Sequence, residues 1–186
     1  EEAEYHASQA IEIFSQRVKE KLREVEARIE LGCIYRDWAQ LVRQSTEPDA
    51  HKQSQGLAER GVLNLNEAAE DARADLPYYE VDALANLAWL QYYMGQSVEA
   101  LNTANKVEAI IPIEYHLNQG EQIPEHKGPI GGFYAQLGKI YNLRGQMAFD
   151  KNDLPGAAQN FTLTLAYNER LSTNLRELKR ARVQVA

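Results

Sequence analysis

The phrase Leu-Gly-x-Ile-Tyr occurs twice, as "LGCIY" at residues 31–35 and "LGKIY" at 137–141, in stretches whose apolar residues recur every three or four positions. That period belongs to the α-helix, where residues three and four apart share one face. Ile11, Phe14, Val18, Leu22, Val25 and Ile29 mark one such stripe, and Ala58, Val62, Leu65 and Ala69 another. Every apolar pattern in the chain has this period, so the reading is all-α: helix over more than two thirds of the residues and strand nearly absent. The repeated phrase reads as a packing device. Gly32 and Gly138 are expected where two helices approach too closely for a larger side chain.

The spacing around the phrase resembles the tetratricopeptide repeat, a helix-turn-helix unit of about 34 residues. Ala10 and Phe14 fill second-helix positions of one unit, and Leu31, Gly32 and Tyr35 fill first-helix positions of the next. In the middle unit Leu84, Leu87 and Ala88 stand on the first helix, Gly95 at the turn, Ala100 and Ala104 on the second helix and Pro112 at the close. In the last, Leu137, Gly138 and Tyr141 are followed by Ala157 and Phe161 after a longer interval, which predicts a first helix extended by two turns. The first full unit departs most, because "QSTEPDAHKQSQG" is polar and its second helix is expected to begin near Gln53.

The resemblance implies a single α-solenoid of antiparallel helix pairs, about seven helices. Its approximate units are 1–24 (partial), 25–78, 79–114, 131–171 and 172–186 (partial), with a proline- and glycine-rich loop over 112–132 anchored by Ile113, Tyr115, Leu117 and Ile123. "STNLRELKRARVQVA" reads as the opening helix of a further unit, capped by Ser172 or Thr173. The chain would then be a fragment of a larger protein.

Several classes of chemistry find no support in the residues. Cys33 is the single cysteine, which excludes an internal disulfide framework, so a reducing, cytoplasmic setting is the default, and the thiol reads as a small buried side chain. The longest apolar runs fall far below the roughly 20 residues that cross a bilayer. His6, His51, His116 and His126 lack helical metal-ligand spacing, and His116, Glu121, Glu125 and His126 lie together only in the loop, so no metal or other cofactor is expected. "GPIGG" lacks the lysine of a phosphate loop. Without a convergent acid-base pair, the chain reads as non-enzymatic.

Charge points the same way. The net charge is −7, and residues 45–82 carry nine acidic side chains against three basic, so a nucleic acid is not an expected direct ligand. The basic end, with Arg176, Lys179, Arg180 and Arg182, reads as a solvated helix C-terminus.

What remains is binding. The resemblance implies that first helices line a groove for a peptide or protein partner, which includes another domain of the same parent chain. Residues beside the packing stripes there are Glu30, Cys33 and Arg36, then Asn86, Trp89 and Tyr93, then Gln136, Lys139 and Asn142. Arg36, Asn86, Trp89, Tyr93, Gln136, Lys139 and Asn142 are the candidate contacts, with the two aromatics as anchors in a polar rim. The alternative is a C-terminal sensor arm of a signalling ATPase or transcription regulator, whose nucleotide-binding module would lie upstream.

Overall fold

The structure, a computed structural model, describes residues 2–19, 24–73, 76–116 and 132–184. Among these, 88% are helical and none is in a strand. Seven α-helices run in order: α1 (Glu2–Lys19), α2 (Glu24–Arg43), α3 (Ala50–Ala72), α4 (Pro77–Tyr93), α5 (Ser97–Ile110), α6 (Gly132–Asp150) and α7 (Leu154–Gln184), with a 3-10 turn over Ile113–Tyr115. The chain divides into two compact units, Glu1–Ala104 and Asn105–Ala186, the division falling inside α5.

In the first unit α1 packs on α2, α2 on α3 and α3 on α4, and α2 also reaches α4. Consecutive packing of this kind is that of a helical repeat, in which each helix buries its stripe on its neighbours. Acidic Glu24 and Glu26 open α2 and Arg43 closes it, charges that complement the helix dipole. Its buried residues Ala27, Leu31, Tyr35 and Ala39 recur every four positions. Leu65, Leu87, Leu90, Ala39 and Ala58 form one core cluster, with Val62 and Leu84 packed against it. Ile29, Ala68, Ala69 and Ala83 form another, against which Val25 and Cys33 pack.

Glycine sets the closest approach. A methyl group at Gly32 would lie 2.7 Å from Leu65 Cδ2 and closer still to its Cγ, and one at Gly61 would lie 2.8 Å from Leu90 Cδ2 and 3.3 Å from the Gly32 carbonyl oxygen. Gly32 therefore sits at the close α2–α3 contact expected of it, and Gly61 answers it from the facing helix. Between α4 and α5 the chain reverses at Gly95, whose φ of +80° is a left-handed value that a side chain disfavours. Ala100 and Ala104 are fully buried beyond it, and Thr103 Oγ1 donates to Gln91 Oε1 at 2.8 Å.

In the second unit α6 packs on α7. Leu137, Ile140 and Leu143 are fully buried, and the Tyr141 and Tyr167 rings stack at 5.5 Å. Asn152 takes a φ of 60° in the connecting turn, and Asp153 Oδ1 accepts the Gly156 N–H at 3.0 Å at the start of α7. The tail of α5 joins α6 through Glu108, which accepts from Tyr141 Oη at 2.5 Å and from Arg144 Nη2 at 2.6 Å.

Four sequence expectations change. The stripe from Ile11 to Ile29 is shared between α1 and α2 rather than carried by one helix; Leu22 lies outside the described residues. The second helix of the first full unit starts at Ala50, before Gln53. The extension predicted for α6 is a shift of its span, since α6 and α4 have 19 and 17 residues but α6 runs much further past Gly138 than α4 does past Ala88. Finally, no helix begins at Ser172 or Thr173: α7 continues unbroken for 31 residues to Gln184. With no glycine or proline after Gly156, nothing there stops it. The loop anchors Leu117 and Ile123 lie outside the described residues, as do the side chains of Arg176, Lys179, Arg180 and Arg182.

Candidate functional site

The C-terminal half of α2, the first turns of α3 and the C-terminal end of α4 enclose a groove of about 470 Å³ in the first unit. That volume lies in the range of sites that take a small ligand or a few residues of a peptide. Its position follows from the helix periods. Arg36, Ala39, Gln40 and Arg43 recur at three- and four-residue steps on α2, and His51, Ser54, Gln55 and Ala58 do so on α3. Leu90, Tyr93 and Met94 close it from α4, with Gln96 from the turn beyond.

Ala39, Ala58 and Leu90 form an apolar floor and are almost fully buried. Ser54 is satisfied inside that floor, donating from Oγ to the Ala39 carbonyl at 2.8 Å. The walls are polar and carry one sign of charge. Arg36 donates from Nη1 to Asn86 Oδ1 at 2.7 Å and from Nε to Asp37 Oδ1 at 2.8 Å. Burial alone would favour loss of its proton, but the Asp37 bond, with Cys33 and Tyr93 nearby, outweighs it and holds the guanidinium charged even more firmly than usual. Arg43 donates from Nη1 to the Tyr93 carbonyl at 2.5 Å and, among the described residues, has no carboxylate within ion-pair distance. No Asp or Glu lines the groove, although the chain has 27 of them against 20 Lys and Arg.

Of the candidates taken from the sequence, Arg36 and Tyr93 line this groove. Asn86 does not present itself to a partner. It is 3% exposed and braces Arg36, its Nδ2 donating to the Asp82 backbone oxygen at 2.9 Å and to Asp82 Oδ1 at 3.0 Å. Trp89 is half-buried beside the Tyr92 and Tyr93 rings, at 5.9 and 5.5 Å. Glu30 is exposed and Cys33 half-buried on α2.

Gln136, Lys139 and Asn142 belong to α6 in the second unit. Gln136 is 4% exposed, so its amide is committed to the interior and the expectation of a surface contact is corrected. Lys139 is half-buried and Asn142 exposed. Gln136 stands beside the packing stripe in sequence yet falls on a face that α6 buries, because the buried residues of α6 spread over more than one stripe.

Sequence reading missed Arg43, Gln40, Gln44, His51 and Met94. The signal was present in α2, where Arg36 and Arg43 stand two turns apart on one face with Gln40 between them on that face. His51 passed as a loop residue because the start of α3 was placed too late; it stands in that helix's first turn.

Among the described residues no group of three metal-ligating side chains exists, and no helix is long and apolar enough to cross a membrane. His116, the one member of the loop cluster that is described, has Nε2 3.1 Å from the Ile111 carbonyl; Glu121, Glu125 and His126 lie outside the described residues. No protein-family model, curated protein or solved structure matches the chain.

Proposed function

We propose that this chain is a non-enzymatic interaction module of the tetratricopeptide kind, which takes a peptide or a segment of a partner protein. The observation that supports this reading is the α2–α3–α4 groove. It combines a buried apolar floor with an aromatic ring and two arginines, the residue types that dominate binding energy at protein interfaces. Asn86 and the Tyr93 carbonyl hold the two guanidinium groups in place before any ligand arrives, which lowers the ordering entropy of binding.

The test is selection from a displayed peptide library on the folded chain, followed by anisotropy titration of the selected peptides. Tyr93→Ala should weaken binding by roughly 1–2 kcal/mol or more while unfolding stays cooperative, since the backbone carbonyl that holds Arg43 is kept. Selected peptides that bind wild type and Tyr93→Ala equally would remove this groove as the docking site. A library that yields no specific binder would remove the module reading itself.

A further inference from the structure

We propose that the groove recognises an acidic, proline-rich segment in the polyproline II conformation, with two carboxylates three residues apart; this rests on the reading of the chain as a peptide-binding module. Three observations lead there.

The first is charge. An acid-free lining with two arginines is not what a chain of net charge −7 would place in a groove by composition alone. Arg43 has no carboxylate partner among the described residues, and Arg36, though bonded to Asp37 and Asn86 through Nε and Nη1, has no hydrogen bond at Nη2 among them. Both keep N–H groups for an incoming carboxylate, the acceptor that matches a guanidinium best.

The second is spacing. Arg36 and Arg43 lie seven residues apart on α2, which at about 1.5 Å per residue separates them by roughly 10.5 Å along one face. Polyproline II repeats every three residues with a rise of about 3.1 Å, so side chains at i and i+3 share a face roughly 9.3 Å apart. A β-strand fails this match, because its residues at i and i+3 point to opposite faces.

The third is the apolar lining. Leu90, Met94 and Tyr93 give the proline rings of a polyproline II turn apolar partners between the two arginines. A helix carrying acids at i and i+7 meets the same spacing, and the peptides below separate the two.

The test uses the whole chain and fluorescein-labelled peptides with an Asp-Pro-Pro-Asp core, blocked at both ends so that only side-chain carboxylates are present. The expected result is binding about tenfold or more tighter than an Asn-Pro-Pro-Asn peptide or one with adjacent aspartates. That advantage should shrink as salt shortens the screening length from ~30 Å at 0.01 M to ~8 Å at 0.15 M. R43Q, at an exposed position in the last turn of α2, should erase most of the preference. R43E should regain binding with a peptide in which one aspartate is replaced by lysine. Equal binding of the Asp and Asn peptides overturns the charge assignment, and tighter binding of a helical peptide with acids at i and i+7 overturns the conformation. In both cases library-selected peptides that still bind leave the module reading standing, whereas loss of every selected binder is the failure of that reading.

Discussion

Gly32→Ala adds one methyl group to α2 and should destabilise the chain, against the helix propensity of the new residue. In an unconstrained helix interior the change gains about 1 kcal/mol, because alanine loses less backbone entropy than glycine. Here the methyl would lie 2.7 Å from Leu65 Cδ2 and nearer its Cγ. Leu65 is fully buried among Ala39, Ala58, Leu87 and Leu90, so its branch point cannot swing away without moving that cluster. Overpacking of this sort costs about 1–3 kcal/mol, which after the propensity gain leaves a net loss of up to roughly 2 kcal/mol. Gly56→Ala on α3 is the internal control: nothing lies within 4 Å of its new methyl, so it should gain up to about 1 kcal/mol. Urea denaturation followed by far-ultraviolet circular dichroism reads both. Leu65→Ala, itself costly by about 2–5 kcal/mol, should turn Gly32→Ala from harmful to neutral or helpful, a coupling of about 0.5–3 kcal/mol. If Gly32→Ala matches Gly56→Ala in wild type, or its cost persists in Leu65→Ala, close approach of α2 and α3 is not what the glycine provides.

The second copy of the phrase behaves differently. A methyl at Gly138 would meet the amide oxygen of exposed Asn168 at 3.1 Å, which can rotate aside, whereas one at Gly145 would press the Phe161 ring at 2.6 Å; in the same urea experiment, with the helix-propensity gain included, Gly145→Ala should lose up to roughly 2 kcal/mol and Gly138→Ala should be close to neutral. Burial pushes the Glu108 carboxyl up, but hydrogen bonds from Arg144 and Tyr141 and the Arg144 charge outweigh it and hold its pKa below the ordinary value. Its contribution is therefore complete above the unfolded carboxylate range and is lost as pH falls through the depressed folded value. Glu108→Gln should cost stability at neutral pH and progressively less as pH falls through the depressed folded value and the wild-type carboxyl gains its proton; a difference that stays constant with pH would refute the ion-pair account. Asn86→Ala should cost about 1–3 kcal/mol by releasing the Arg36 and Asp82 bonds it makes in the interior, and wild-type stability in that variant would show that the amide braces nothing.

The helical class, the placement of most helices and the inward faces of α3, α4 and α5 were legible in the sequence. Ala58, Leu65 and Ala69, Leu87 and Ala88, and Ala100 and Ala104 all lie where their spacing put them. The physical reason is local: a period of 3.6 residues belongs to one helix, and Gly95 announces its turn through backbone conformation alone. What tertiary structure decided was which neighbour each face meets. Gly61 and Gly145, where a methyl would lie 2.8 Å from Leu90 Cδ2 and 2.6 Å from Phe161 Cε1, are tighter than Gly138 of the repeated phrase although neither belongs to it, and the partners that make them tight are brought there only by packing with other helices. Asn86 and Gln136 sat beside the predicted stripes and are buried all the same, since α4 and α6 each cover more than one face. The groove is a product of three helices. Arg36 and Arg43 share a face by sequence, and Asp37, which bonds Arg36, stands beside it on the same helix, but the apolar floor between the two arginines and the Asn86 and Tyr93 oxygens that hold them were set only when α3 and α4 packed against α2.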